Sequence, residues 1–272
     1  MKNRTREFYE ELGEKYPEDS IVYSTLSGRI RKKWIVDSLR GFPRGNLLDC
    51  GCNVGTLSRG WQKGVVFGVD ISYAVLKKGK TLSPKASYLQ ADLCEMIMLR
   101  KNSIDNAIAC EVIEHLEAAD RFLDNLYLVM KKGGLLLITS PNYTSVRPGR
   151  IPLGILRSFG IEYGTRGKEY LHTAYKPTEL AALALRSGFT IQEKGTFEKE
   201  LRGWLKPATI FRRCLETLCL RLAPASRMLQ LLEQGFNSLE INTFDMLNTF
   251  NFGVILRRIF SEGRRSYIIA RK

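Results

Sequence analysis

The sequence predicts an α/β fold, a parallel sheet with helices on both faces. Three observations carry this. From Gly45 to Ser140, short apolar runs alternate with stretches of helical period. Each run is four to seven residues long and rich in Val, Ile and Leu, as strands buried on both faces are. Small or acidic residues stand just at the carboxyl ends of these runs, where open α/β sheets bind ligands.

Residues 1–44 read as one or two helices with a break near Pro17. The strands are Asn46–Cys50, Val65–Asp70, Ser87–Gln90, Ile104–Cys110 and Leu135–Ser140. Ser72 suits the N-cap of the helix in SYAVLKKGK. Asp120–Met130 places Phe122, Leu123, Leu126, Val129 and Met130 on one helical face, with Lys131, Lys132 and Gly133 as its close. Residues 141–176 are punctuated by Gly and Pro and read as loop. Pro177 opens a helix that stops at Gly188, and Phe189–Lys194 and Ser266–Arg271 read as strands.

The residues between those last two strands are mostly helical in pattern. FRRCLETLCLRL puts Phe211, Cys214, Leu215, Leu218, Cys219 and Leu222 on one face and Arg212, Arg213, Glu216 and Arg221 on the other. Met228, Leu229, Leu231 and Leu232 form a second stripe, and NTFDMLNTFNFGVILRRIF is nearly apolar all round, with Arg257 and Arg258 near its end. The expected organisation is therefore a helical segment at 1–44, a core at 45–200, a helical insertion or lid at 201–265, and a final core strand at 266–272.

Forty-two basic against 28 acidic residues leave a net charge of +14 on 272 residues. Residues 201–272 hold 12 basic and 5 acidic side chains, a net +7 and half the excess. A basic face implies an anionic partner: nucleic acid, phospholipid headgroups or a phosphorylated molecule. At 44% hydrophobic and 26% charged, the composition excludes wholesale disorder, a fibrous repeat and a disulfide scaffold. Six scattered cysteines without a CxxC pair, a polar first stretch and no long apolar run lead us to expect a reduced, cytoplasmic protein.

The first strand runs into LLDCGCNVG, with Asp49, Gly51, Cys52, Asn53 and Gly55. Small residues there allow a sharp turn and close approach of a ligand to bare backbone. Asp70 follows 21 residues after Asp49, in VDIS with Ile71, where a carboxylate can accept from both hydroxyls of a ribose. Asp92, beside Leu93, can meet an adenine amino group, and Glu111 ends the fourth strand. The dinucleotide pattern GxGxxG is absent, because Asn53 and Thr56 stand at its second and third glycines.

These motifs resemble the class I S-adenosylmethionine-dependent methyltransferases, particularly the group that includes ubiquinone-pathway O-methyltransferases. LLDCGCNVG resembles their cofactor loop, with Asn53 for a glycine. VDIS resembles the ribose-binding strand end, QADLCE the adenine side, and IDNAIACEVIEHL with LVMKKGGLLLITSPN the fourth strand, its helix and the fifth strand. The resemblance covers about residues 44–194. It implies a Rossmann-like seven-stranded sheet whose last strand is antiparallel, and a cofactor site formed by Asp49, Gly51, Cys52, Asn53, Gly55, Asp70, Ile71, Asp92, Leu93 and Glu111.

The two histidines, His115 and His172, fall where an acceptor would lie and suit a general base. Glu111, Glu114, His115 and His172 also resemble the metal site of small-RNA 2′-O-methyltransferases, which would hold Mg²⁺ or Mn²⁺. Cys50 and Cys52 are too closely spaced for a zinc site. The expected function is methyl transfer to oxygen of a small, lipid-linked or anionic acceptor. The alternatives are a metal-assisted RNA ribose methyltransferase, which the charge alone supports, and a non-catalytic cofactor-binding assembly protein. The basic insertion suits a lid resting on an anionic membrane, at the inner face if the protein is cytoplasmic.

Overall fold

The computed structural model describes residues 2–95, 99–143, 147–202, 204 and 226–272. The expected stripe in FRRCLETLCLRL, with Arg212, Arg213 and Arg221, lies outside the described residues, and so do the side chains of Met228, Leu229, Leu231 and Leu232. Among the described residues, no helix is long and apolar enough to cross a membrane.

The chain opens with α1 (Lys2–Lys15), α2 (Glu18–Ser24) and α3 (Leu26–Arg40), broken at Pro17 as expected. There follow β1 (Leu47–Cys50), β2 (Val66–Asp70), α4 (Tyr73–Leu82), β3 (Ser87–Gln90), β4 (Ile104–Cys110), α5 (Ala119–Val129) and β5 (Met130–Pro141). A small hairpin, β6 (Arg150–Pro152) with β7 (Glu169–Leu171), interrupts the stretch read as loop. Next come α6 (Pro177–Arg186), β8 (Thr190–Phe197), α7 (Ser226–Asn248), α8 (Phe252–Ile259) and β9 (Arg265–Arg271).

Seven strands form one sheet in the order β3-β2-β1-β4-β5-β9-β8. The pairs β3–β2, β2–β1, β1–β4 and β4–β5 are parallel, and β9 runs antiparallel to β5, from Leu135↔Arg271 to Pro141↔Arg265. The order reverses at β1 and β4, so the loops after their carboxyl ends flank a crevice. Ala107, Ala109, Leu136 and Ile138 share a core with Phe122, Leu123 and Leu126 of α5 and Leu180 and Ala184 of α6. Leu47, Ile108 and Leu137 alternate with that set and are equally buried, so both faces of the sheet are covered.

One boundary differs from the sequence reading. Lys131–Gly133 do not cap α5: Met130 is already extended, and β5 starts there, with a register shift between Ile104 and Asn106 before the main pairing. Lys131 instead pairs with Asp105 at 2.7 Å.

By contacts the chain divides into two compact units: residues 1–19, 35–195 and 265–272, and residues 20–34 with 196–264. The first holds the sheet. In the second, Leu26, Leu201, Ile241 and Phe244 form a core with Ile30 and Trp204 at its edge. The Trp34 and Phe197 rings stack at 4.0 Å. Buried Glu198 accepts from Ser27 Oγ and from Arg31 Nε at 3.1 Å, and Glu200 pairs with Arg257. The apolar stretch at 242–260 is two helices, because Asn251 turns left-handed (φ 58°) between α7 and α8.

Candidate functional site

The loop after β1 turns on residues that adopt positive φ. Gly51 (φ 69°) and Gly55 (φ 77°) do so without penalty, and Asn53 (φ 49°) does so as one of the side chains that best tolerates it. A Cβ on Gly51 would lie 2.5 Å from Val112 Cγ2, so the turn packs directly on the segment after β4. Asp49 is buried beneath the loop and accepts from Ser58 Oγ at 2.6 Å. Burial pushes its carboxyl up to about 7, with the Ser58 bond opposing and the Asp70 charge adding. Cys52 packs with Val54, Val75 and Leu76, Leu93 belongs to the core under the sheet, and burial pushes the Cys52 thiol up.

Asp70 ties two turns together. Its Oδ2 accepts from the Asn53 amide at 2.9 Å and its Oδ1 from the Ser72 amide at 3.0 Å. Burial raises its pKa and these bonds oppose the rise. Gln90 reaches across to the Ile71 carbonyl at 3.0 Å. Asp92 accepts from the Cys94 amide at 2.8 Å, capping the short turn at 93–95.

The first helix and the start of the second close over this end of the sheet, and no motif in the sequence announced it. Glu10 accepts from the Tyr73 and Ala74 amides at 2.6 and 3.0 Å, where the N-terminus of α4 favours a carboxylate. Ser72 Oγ caps the next amide, as expected. Glu18 accepts from Asn53 Nδ2 at 2.9 Å, and Asp19 from Thr56 Oγ1.

Beside the segment after β4 lies a cluster of rings. His115 stands 5.3 Å from His172, 5.9 Å from Tyr170 and 6.2 Å from Tyr9, between ring centroids. His115 Nδ1 lies 3.0 Å from the Leu171 carbonyl. A carbonyl only accepts, so Nδ1 carries the proton and Nε2 keeps its lone pair. Burial lowers the His115 pKa, with the Leu171 bond and the Glu111 charge opposing. His172 is buried, and its Nε2 lies 2.9 Å from Tyr143 Oη. The phenol is the better donor, so the proton of His172 sits on Nδ1. Burial, helped by His115, pushes its pKa down to about 4.

Two buried polar atoms in this cluster, Tyr9 Oη and His172 Nδ1, have no hydrogen-bond partner among the described residues. Burial first, then the charges of Tyr170, Glu18, Glu114 and Asp70, holds the Tyr9 phenol well above its ordinary pKa, so it stays a donor. Tyr9, Tyr143 and Tyr170 belong to this cluster, and the sequence reading did not single them out.

The expected metal set is corrected. Among the described residues, no group of three or more His, Cys, Asp and Glu side chains is placed to hold a metal ion. Glu111 adopts φ 55° and turns its carboxylate to Thr139 Oγ1 at 3.0 Å and to Arg265 Nε at 2.7 Å. It is therefore not gathered with Glu114, His115 and His172. The same turn directs its carboxylate at β5 and β9 rather than at the β1 loop.

Residues 48–138 match the family described as "Methyltransferase domain". They form a class I methyltransferase domain. A malonyl-[acyl-carrier protein] O-methyltransferase of Hamiltonella defensa is 28% identical over 140 residues, covering 51% of this chain and 49% of that protein. A ubiquinone biosynthesis O-methyltransferase of Nitrobacter winogradskyi is 29% identical over 54% of this chain and 58% of that protein. The chain thus spans about half the length of these curated relatives. Among solved structures, an S-adenosylmethionine-dependent methyltransferase of Mesorhizobium loti aligns with TM-score 0.53 at 17% identity, over 89% of this chain and 98% of that one. Phosphoethanolamine N-methyltransferase 2 of Haemonchus contortus aligns with TM-score 0.57 at 17% identity, over 97% and 57%. At such identities these two likenesses speak for the fold.

Proposed function

We propose that the protein is an S-adenosylmethionine-dependent methyltransferase acting on the oxygen of a small, lipid-linked or anionic acceptor. The observation that carries the choice of oxygen is the fixed tautomer of His115. A neutral imidazole whose Nδ1–H is spent on the Leu171 carbonyl presents Nε2 as a proton acceptor, which a hydroxyl nucleophile needs. Two of the relatives are also named O-methyltransferases.

The loop fits S-adenosylmethionine. Gly51, Asn53 and Gly55 turn the loop at positive φ, and each Asp70 oxygen holds one amide and keeps a further lone pair. Asp70 would hold the ribose hydroxyls, Asp92 the adenine amino group, and the Asp49–Gly55 loop the methionine portion. Bound there, the cofactor supplies an electrophilic methyl group on a positive sulfonium. The chain's own residues do the rest. His115 Nε2 takes the proton from the acceptor hydroxyl. Tyr9 Oη and His172 Nδ1, both buried donors, orient the acceptor through its other oxygens, and the surrounding rings exclude water.

The test is transfer of labelled methyl from S-adenosylmethionine to cell extract, with lipid, RNA, protein and small molecules counted separately. Label in lipid or small molecules is expected. Label in RNA overturns the acceptor class, and label nowhere overturns the activity. His115→Gln should lower kcat by about 10²–10⁴-fold with cofactor affinity unchanged. An unchanged rate removes His115 from the chemistry.

A further inference from the structure

Tyr143 stands just past the carboxyl end of β5, and His172 directly follows β7. The backbone around His172 is pinned on both sides. Its own amide donates to the Gly149 carbonyl at 3.2 Å, and the Thr173 amide donates to the Glu114 carbonyl at 2.7 Å. The His172 ring lies 5.3 Å from that of His115 and 5.8 Å from that of Tyr143, between centroids. Which of its nitrogens carries the proton is set by the bond that the other one makes.

Tyr143 Oη lies 2.9 Å from His172 Nε2. Two arrangements satisfy that distance, and they give Nδ1 opposite characters. If the phenol donates, Nδ1 carries the hydrogen and can only donate. If the ring donates, Nδ1 is bare and can only accept. A phenol O–H is far more acidic than the N–H of a neutral imidazole, so the first arrangement wins. Burial keeps the ring neutral. Its Nδ1 has no hydrogen-bond partner among the described residues, so a buried N–H is left for a ligand to satisfy. We propose that Tyr143 is a positioning residue: through His172 it determines the acceptor's second contact. This rests on the reading above that these rings hold the acceptor. With Tyr143 in place, the group that meets His172 brings an oxygen lone pair. An ammonium group brings only N–H, would meet the ring donor to donor, and would leave both unsatisfied. Tyr143 thus selects against amines without touching the acceptor, and independently of the base at His115.

The chain has two histidines, so nitrogen NMR of the full-length protein shows four ring signals and reads each tautomer directly. His172 is expected to carry its proton on Nδ1, and in Tyr143→Phe that proton should move at least in part to Nε2. Two probes of similar size, 3-hydroxyacetophenone and 3-hydroxybenzylamine, test the selection through the shifts they cause at His172. The ketone should bind wild type at least about tenfold more tightly than the amine, and Tyr143→Phe should narrow that ratio about fivefold. Affinity for S-adenosylmethionine should stay as in wild type. A proton on His172 Nε2 in the wild type overturns the proposal. So does equal or tighter binding of the amine, a His172 signal that neither probe moves, or a Tyr143→Phe variant whose spectrum or ratio is unchanged. The two wild-type measurements need no turnover. A protein that passes both and yet transfers no methyl group would overturn the methyltransferase reading alone.

Discussion

Replacing Asp70 with Asn exchanges one oxygen for an amino group and leaves the shape of the side chain. In the native loop each carboxylate oxygen accepts one backbone amide, from Asn53 at 2.9 Å and from Ser72 at 3.0 Å. An amide side chain accepts one of these and sets its own N–H against the other. The orphaned amide costs about 1–3 kcal/mol, and in a chain of this size each of those lowers the thermal midpoint by about 2–4 °C. The cofactor suffers separately. A charge-assisted bond to a ribose hydroxyl contributes about 1.5–3 kcal/mol, so affinity for S-adenosylmethionine should fall about 10–150-fold. Calorimetric titration measures the second effect and a thermal scan the first. A variant that unfolds earlier yet binds S-adenosylmethionine as wild type does would make Asp70 an anchor of the loop and nothing more.

Two other expectations concern the acceptor side. Burial lowers the pKa of His115 below its ordinary 6.5 and that of His172 to about 4, and the neutral imidazole is the active form of the base. The acid limb of the kcat/KM profile should therefore fall below pH 6.5, with a level region from pH 7 upward; an inflection at or above pH 7 would refute the assignment. Because Glu111 is committed to Thr139 and Arg265, transfer should proceed at full rate in excess EDTA. A loss that Mg²⁺ or Mn²⁺ restores would bring back the metal reading.

The central parallel strands were legible because burial on both faces makes them nearly continuous apolar runs, and Ile104–Cys110 coincides with the sequence reading to the residue. The turn residues were legible for a related reason, since Gly51, Asn53 and Gly55 are among the few side chains that adopt positive φ cheaply. Glu111 defeated the same logic. Resemblance groups Glu111 with Glu114 and His115 as metal ligands, but a left-handed Glu111 followed by a short turn at 113–115 swings its carboxylate to the neighbouring strands. Tyr9 was not legible, because a tyrosine in a polar helix signals nothing until that helix is laid across the sheet. Tyr143 and Tyr170 were hidden likewise in a stretch whose glycines and prolines predict loop but not which side chains converge. The end of α5 was misread because Lys131–Gly133 carry a stop signal that extended pairing with β4 overrides.

The place of β9 sets the order in which this protein can be made. Arg265–Arg271 lie between β5 and β8, deep in the sheet rather than at its rim. During synthesis β5 therefore waits with an open hydrogen-bonding edge while more than a hundred further residues are translated, and β8 has no strand to join. Closure of the sheet is the final act, pairing Leu135 with Arg271 across a long loop of chain. Until then a ribosome-bound chain displays the apolar edge of β5, the kind of surface that recruits chaperones or mispairs with other nascent chains. A stop codon just before β9 would leave the whole loop after β1 encoded and yet deny the sheet its keystone.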